Sequence, residues 1–349
     1  MKIAVYPFGE IYDYLIDAIL KENKQMELAY LIRPHTWNSS EKYKKYEKNF
    51  EEFSDLVTSI DELIILESEL YFKSISLIKC AIENGTRICC CEELNKEDLL
   101  GIEERCKQHN CVFTYYGDKD YDINTKINMI PHRFYPQQYF VIVVTPIFQN
   151  LSTDKTTVEL KNLLEDKGYR VTCLTTSNNL QILNYEVLPV QAINCASDES
   201  VYQWNQYFEW IQRMINPEIC IVQMPTEGLF RASGMIQHGY GVQTYLISQA
   251  LYVDYCILQT CYTNLLEYND ISDELEKRLG YSVDSIVVSD VCVDEEESYN
   301  LESVTYQKEE MGHCEEYCKD VVENNKAISV IGVENANTWN DIVENVISK

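Results

Sequence analysis

The stretch YFVIVVTPIFQNLSTDKTTVEL, residues 139–160, decides the fold of this chain. Its first nine residues are almost all apolar, which is typical of a strand buried on both faces of a sheet. A short loop follows, and the segment that opens near Lys155 has helical spacing until Gly168 ends it. This order of strand, loop and helix predicts a parallel α/β sheet with a loop of the phosphate-binding type at the end of one strand.

The loop keeps some features of a phosphate-binding loop and lacks others. Such a loop needs two glycines, which let successive N–H groups point at phosphate, and a Lys that neutralises the phosphate charge. Gln149 and Asp154 stand at the two glycine positions. A carboxylate beside phosphate disfavours ordinary nucleoside triphosphate binding, and the alternative is an inherited strand, loop and helix without a ligand. The candidate phosphate or ligand contacts that remain are Lys155, Thr156 and Thr157.

A second candidate loop follows the apolar segment EICIVQMP at residues 218–225. Ligands of open α/β sheets bind at the carboxyl ends of the strands, so this loop is well placed to share a crevice with Lys155. Its candidate ligand contacts are Gly228 and the anion-binding Arg231. The candidates for proton transfer are Glu227 and His238. The alternative is a glycine-bearing connection with charged residues on its surface.

Composition limits the possible partners. The 349 residues suit two domains, and the net charge of −27 argues against nucleic acid, whose phosphates would be repelled. No apolar segment approaches the roughly 20 residues of a membrane span, so we expect no membrane contact. The first strand-like segment follows Met1 directly, without a signal peptide. We therefore expect a cytoplasmic protein whose 14 cysteines are reduced and mostly buried.

The cysteine positions do not predict a metal site. Residues 89–91 are three consecutive cysteines in an apparent strand, where alternate side chains point to opposite faces. His313, Cys314 and Cys318 are closer to ligand spacing, but they lack a second pair. No metal is therefore expected, and a nucleotide or acyl-CoA remains the alternative cofactor.

The alternation of strand-like and helical segments runs through both halves of the chain. The sequence predicts an α/β protein in which an N-terminal Rossmann-like parallel sheet domain precedes a P-loop-like α/β domain. We place the first domain at residues 1–130 and the degenerate P-loop-like domain at 139–349. Residues 131–138 form the predicted linker, which contains Pro131 and Pro136.

Four segments carry a resemblance to a known family: KTTVELKNLLEDKGYRV (155–171), NYEVLPV (184–190), NPEICIVQMPTEG (216–228) and YGVQTYLISQALYVDYCIL (240–258). In these segments the chain resembles the accessory proteins of bacterial peptide maturation systems, which are encoded beside small ribosomally made peptides and radical SAM enzymes. The two-domain plan is more distantly similar to enzymes that pair a Rossmann-like with a P-loop-like domain, including a D-glutamate N-acetyltransferase family.

The resemblance implies a role in handling a precursor peptide, with that peptide and a radical SAM maturation enzyme as partners. It supplies no catalytic residues. The 26 tyrosines offer contact area for such partners, and the acidic charge favours a basic one. The alternative is a nucleotide- or acyl-CoA-dependent transferase, in which Lys155 and Thr156 hold phosphate and Glu227 or His238 transfers a proton. The sequence leaves open whether the chain forms a homodimer.

Overall fold

The computed structural model describes residues 1–68, 70–117, 123–148, 151–190, 193, 198–225, 241–262, 268–294, 304–308, 311–324, 329–333 and 339–349. Contacts divide the chain into two compact units. The first comprises Met1–Lys119 and Ser177–Tyr185, and the second comprises Asp120–Thr176 and Glu186–Lys349. The candidate residues that lie outside the described residues are Gln149, Glu227, Gly228, Arg231 and His238.

The first unit contains a six-stranded parallel sheet. Its strands are β1 (Lys2–Tyr6), β2 (Glu27–Arg33), β3 (Glu47–Asn49), β4 (Glu62–Ile65), β5 (Arg87–Cys90) and β6 (Phe113–Tyr115). Its described α-helices are α1 (Asp13–Glu22), α2 (Phe53–Leu56), α3 (Tyr71–Glu83) and α4 (Lys96–His109). The strand order is β3-β2-β1-β4-β5-β6. Because the order reverses between β1 and β4, the sheet has the switch point of a Rossmann-like fold.

The central strands β1 and β4 are apolar after their first residues, Lys2 and Glu62, as expected of strands that are covered on both faces. Every residue of β4 is buried, and in β1 only Lys2 is exposed. Residues 89–91, the three consecutive cysteines, lie at the end of β5 and just beyond it, and all three are buried free thiols. The prediction that they pack inside a strand region is therefore confirmed.

The second unit contains an eight-stranded, mostly parallel sheet. Its strands are β7 (Phe140–Pro146), β8 (Val171–Thr175), β9 (Glu186–Val187), β10 (Ile219–Gln223), β11 (Tyr255–Tyr262), β12 (Ser285–Val293), β13 (Tyr306–Lys308) and β14 (Ser329–Gly332). The order is β13-β12-β11-β7-β10-β8-β9, and β14 also pairs with β12. The pairing of β13 with β12 is antiparallel, and the other described pairs are parallel.

Helices pack against this second sheet. The described α-helices are α5 (Ile123–Asn128), α6 (Asp154–Asp166), α7 (Asp198–Met214), α8 (Val242–Ala250), α9 (Tyr268–Leu279), α10 (Met311–Asn324) and α11 (Trp339–Ser348). Trp204 and Phe208 of α7 are fully buried in the same core as strand residues Val143 and Val222. The predicted α/β class, with a Rossmann-like parallel sheet before a P-loop-like one, is confirmed. In the described part of the chain, no helix has the length and apolar character needed to cross a membrane.

Candidate functional site

The candidate site lies where β7 leads into α6. Strand β7 ends at Pro146, and α6 begins at Asp154. Because β7 lies between β10 and β11 in a parallel arrangement, the carboxyl ends of all three strands meet at one edge of the sheet. Gln223 ends β10, and Gln259 of β11 pairs with Pro146 at the end of β7, so that these two side chains flank the start of α6.

The buried side chain of Gln223 holds the first residues of α6. Its amide nitrogen donates to Thr153 Oγ1 at 2.7 Å and to Asp154 Oδ1 at 2.6 Å. Its amide oxygen accepts from the hydroxyl of Thr175 and from the backbone N–H of Thr176, the latter at 3.2 Å. These four bonds use both donors and both acceptor sites of the amide. The start of α6 is therefore bound to the neighbouring strand by a fully satisfied side chain.

Gln259 contacts the same helix start from β11, the strand on the other side of β7. The hydroxyl of Thr156 donates to Gln259 Oε1, and Gln259 Nε2 donates to Ser289 Oγ at 2.6 Å. All three residues are buried. In a phosphate-binding loop the hydroxyl at the position of Thr156 holds Mg²⁺. Here that hydroxyl donates its hydrogen to a neutral amide of the sheet.

The three predicted contacts of α6 lie together at its first turn. Thr157 is buried, and its hydroxyl donates to the carbonyl oxygen of Thr153 at 2.9 Å. Lys155 is half-buried in the same turn. The structure thus brings Lys155, Thr156 and Thr157 to one helix start, where the two threonine hydroxyls donate to groups of the protein itself.

Asp154 sets the charge at this helix start. The N-terminus of a helix carries partial positive charge, which stabilises an anion placed there. Asp154 is the first residue of α6, and its carboxylate is also bound by Gln223. In chemical terms the carboxylate brings to this helix start the negative charge that a phosphate would bring to a phosphate-binding loop.

The two glutamines were not among the residues predicted from the sequence. The available signal was a glutamine that follows four apolar residues of a strand, as in ICIVQ of β10 and YCILQ of β11. A side chain at that place lies at the ligand-binding edge of a parallel sheet. The signal did not reveal that the partners of Gln223 and Gln259 would be Thr153 and Thr156.

The residues closest to metal-ligand spacing in the sequence, His313, Cys314 and Cys318, lie on α10. His313 is exposed and Cys318 is half-buried on this helix, whereas the side chain of Cys314 lies outside the described part of the chain. Among the described residues, no group of three or more His, Cys, Asp or Glu side chains is arranged to hold a metal ion.

Comparison with known proteins bears on the fold. No family profile and no curated protein sequence matches the chain. The whole chain is similar to a DUF1611 family protein from Anabaena variabilis, with a TM-score of 0.61, 12% identity and coverage of 100% of this chain and 99% of that one. Parts of it are similar to the MinD cell division protein of Aquifex aeolicus, with a TM-score of 0.34, 16% identity and coverage of 58% and 86%.

A third likeness is to homoserine dehydrogenase of S. aureus, with a TM-score of 0.29, 11% identity and coverage of 34% of this chain and 32% of that one. At such low identity a structural likeness reports on the fold and not on the reaction, because one fold supports many functions. The likeness to the DUF1611 family protein, which covers nearly all of both chains, establishes that this chain has the same overall fold.

Proposed function

We propose that the protein is an accessory protein in the maturation of a ribosomally synthesised peptide, and that it binds the precursor peptide or the partner modifying enzyme. The observation that carries the binding role is the start of α6, where Gln223 holds the carboxylate of Asp154. A fixed negative charge at this place repels the phosphates of a nucleotide, which favours binding over phosphoryl transfer. The identity of the partners comes from the resemblance carried by residues 155–171 and 216–228.

Two further features support a binding role. The net charge of −27 favours association with a basic partner. Large apolar and aromatic side chains are exposed on α8 and just after it, namely Val242, Tyr245 and Tyr252. Tyrosines of this kind supply contact area together with a hydrogen-bonding hydroxyl, and they are enriched in protein interfaces.

The first test is direct binding of precursor peptides. Peptides encoded by short reading frames beside the gene are synthesised with a fluorophore and titrated with the full-length protein, and fluorescence anisotropy is recorded at low and high NaCl. We expect saturable binding that weakens as salt screens the attraction between the acidic protein and a basic peptide.

A scrambled peptide of the same composition separates sequence recognition from charge. In a separate experiment the full-length protein is mixed with the purified radical SAM enzyme, and their association is followed by sedimentation velocity. If neither the peptides nor the enzyme associates with the protein, the proposal is wrong.

Lys155 favours a second candidate function, a nucleotide- or acyl-CoA-dependent transferase. This lysine lies in the first turn of the helix that follows a buried parallel strand, which is the place of the phosphate-binding Lys. In this candidate Glu227 or His238 transfers the proton. The thermal midpoint is measured with ATP, GTP, acetyl-CoA and phosphate for the natural protein and for Lys155→Ala, because a ligand of the native state raises the midpoint.

The matched control is Lys167→Ala, which removes an exposed lysine just beyond the other end of α6. A rise in midpoint that is lost with Lys155→Ala and kept with Lys167→Ala supports the transferase. The absence of any rise supports the accessory role.

A further inference from the structure

A cavity of about 580 Å³ lies within the second unit, away from the start of α6. Phe140, Asp254 and Asp284 line it at or just before the first residues of β7, β11 and β12. In a parallel sheet the amino ends of the strands lie at the edge opposite the carboxyl ends. The cavity is therefore distinct from the candidate site, and its volume lies in the range of small-ligand pockets.

The charges around this cavity favour a cation. Helices α8 and α9 both end at it, and the last carbonyl groups of a helix carry partial negative charge. Asp254, Glu276 and Asp284 add three carboxylates, whereas Lys349 is the one basic residue among the described lining residues. Burial raises the pKa of Asp254, against the lowering effects of the Val141 N–H and Lys349, so further positive charge there would be favourable.

Lys349 shows how the cavity holds an ammonium group. Its Nζ donates to Asp284 Oδ1 at 2.6 Å and to the backbone carbonyl of Asp254 at 3.0 Å. The same Nζ lies 5.2 Å from the ring centroid of Tyr255. A carboxylate, a carbonyl and an aromatic face together form a recognition set for an alkylammonium ion.

The ammonium of Lys349 is weakly held. Its side chain is 45% exposed, and ion pairs at such exposure contribute little net stability because water screens the charges. Another amine of the same chemistry can therefore compete for Asp284. Tyr252, which is 74% exposed at the same cavity, offers an aromatic surface to the alkyl chain of that amine.

We propose that this cavity binds a primary alkylammonium group, which displaces the ammonium of Lys349 from Asp284. The group belongs either to a free diamine or to a lysine side chain of a bound peptide. The lysine source rests on the proposed function, whereas the amine site itself does not. Glu276 also lines the cavity and offers a further carboxylate, which suits a ligand with a second positive charge.

Isothermal titration calorimetry of the full-length protein tests the site. The probes are cadaverine, a tripeptide with a central lysine and blocked ends, and glutarate, an anion of cadaverine's chain length. We expect the two amines to bind and glutarate not to bind. Lys349→Met empties the ammonium position, so it should tighten cadaverine binding by about fivefold, and Asp284→Asn should weaken it by about tenfold.

If Asp284→Asn unfolds the protein, two variants of α9 provide an independent test of the site. Glu276 and Glu274 are both exposed, but only Glu276 lines the cavity. Glu276→Gln should weaken cadaverine binding, and Glu274→Gln should leave it unchanged. The proposal is overturned if Lys349→Met fails to tighten binding, if glutarate binds as well as cadaverine, or if the two glutamate variants behave alike.

Comparison of the cadaverine and tripeptide titrations distinguishes the two sources of the amine. Binding of cadaverine without the tripeptide supports a free diamine, and binding of both supports a peptide lysine. If neither amine binds, the amine site is disproved, whereas the proposed function is judged separately by the anisotropy titration with precursor peptides.

Discussion

Gln223 joins β10 to α6 through hydrogen bonds that no solvent can replace, because the side chain is fully buried. Gln223→Leu keeps the size of the side chain but leaves Thr153, Asp154 and Thr175 without this partner. Buried polar groups that lose their partners destabilise the folded state, so we expect the free energy of unfolding to fall by roughly 2–4 kcal/mol. Urea denaturation measures the change, and amide hydrogen exchange in α6 localises it.

Gln212→Leu is the control, because Gln212 accepts a single bond from the Gln138 N–H at an exposed position. We expect it to change the free energy of unfolding by less than about 1 kcal/mol. If Gln223→Leu proved as mild as this control, the network at the start of α6 would not have the importance that we assign to it.

Glu92 is a buried carboxyl group of the first unit. Burial raises its pKa from 4.5 to about 7, and the nearby charge of Glu67 adds to this effect. Hydrogen bonds from Ser74 and Ser68, at 3.2 Å and 3.3 Å, oppose it. The folded state therefore holds the proton more tightly than the unfolded state does. The contribution of the protonated Glu92 to the free energy of unfolding is therefore fully present below about pH 4.5, and it is lost as the pH rises to about 7.

We predict that the first unit loses roughly 1–2 kcal/mol of stability between pH 4.5 and 7 through Glu92, a value already reduced for screening by solvent. Glu92→Gln should remove this part of the pH dependence and should stabilise the unit at pH 8. The control is Glu93→Gln, at the exposed neighbouring position. Hydrogen exchange in β1 and β4 as a function of pH is the measurement, and equal pH profiles for the two variants would contradict the prediction.

Helix α4 shows how much of an element is encoded locally. The spacing predicts a helix over residues 96–109, and α4 spans those residues. Asn95 precedes it as the N-cap, and its side chain accepts from the N–H of Asp98 at 2.9 Å. Asn110 closes it in the left-handed region with a φ of 53°. Both ends therefore follow the preferences of single residues for helix caps.

Asn95→Ala removes the cap, and we expect a loss of about 1 kcal/mol in the free energy of unfolding. Asn110→Gly should have the opposite effect, since glycine adopts the left-handed conformation without steric cost. Urea denaturation of both variants tests the pair. A stabilising Asn95→Ala would contradict the assignment of the cap.

Of the four described strands with two or three residues, only β6 was predicted, because it lies within the strand-like segment CVFTYYG at residues 111–117. β3, β9 and β13 have only two or three residues each, which is too few to show the alternation that identifies a strand. Their strand character comes from hydrogen bonding to a longer neighbour, as when β13 pairs with the end of β12. By contrast β7 and β11 are long and apolar, and the sequence predicted both of them.

At the scale of the whole molecule, the chain contributes to the first unit twice. Residues 177–185 follow β8 of the second unit in sequence but pack in the first unit. Within that unit, the buried Asn179 Oδ1 accepts from the backbone N–H of Glu67 at 2.7 Å. Gln181 Nε2 donates to the carbonyl of Tyr116 at 3.0 Å. The stability of the first unit therefore depends on a segment that is distant in sequence.

Asn179→Ala leaves the Glu67 N–H without its acceptor, and we expect it to destabilise the first unit by about 1–3 kcal/mol. Hydrogen exchange that accelerates in β4 while β10 stays protected would confirm the effect. Asn84→Ala is the control, because Asn84 makes its bond to Cys80 at an exposed position. Unchanged exchange in β4 would show that the segment is not needed there.

Local patterning was sufficient to predict the α/β class, the long buried strands and helices such as α4 and α6, because apolar runs and helical spacing are properties of neighbouring residues. It also placed Lys155, Thr156 and Thr157 at one helix start. Only the folded structure showed which side chains contact the start of α6. Gln223 and Gln259 meet it because parallel strands that lie side by side come from distant parts of the sequence, and no local pattern encodes their order in the sheet.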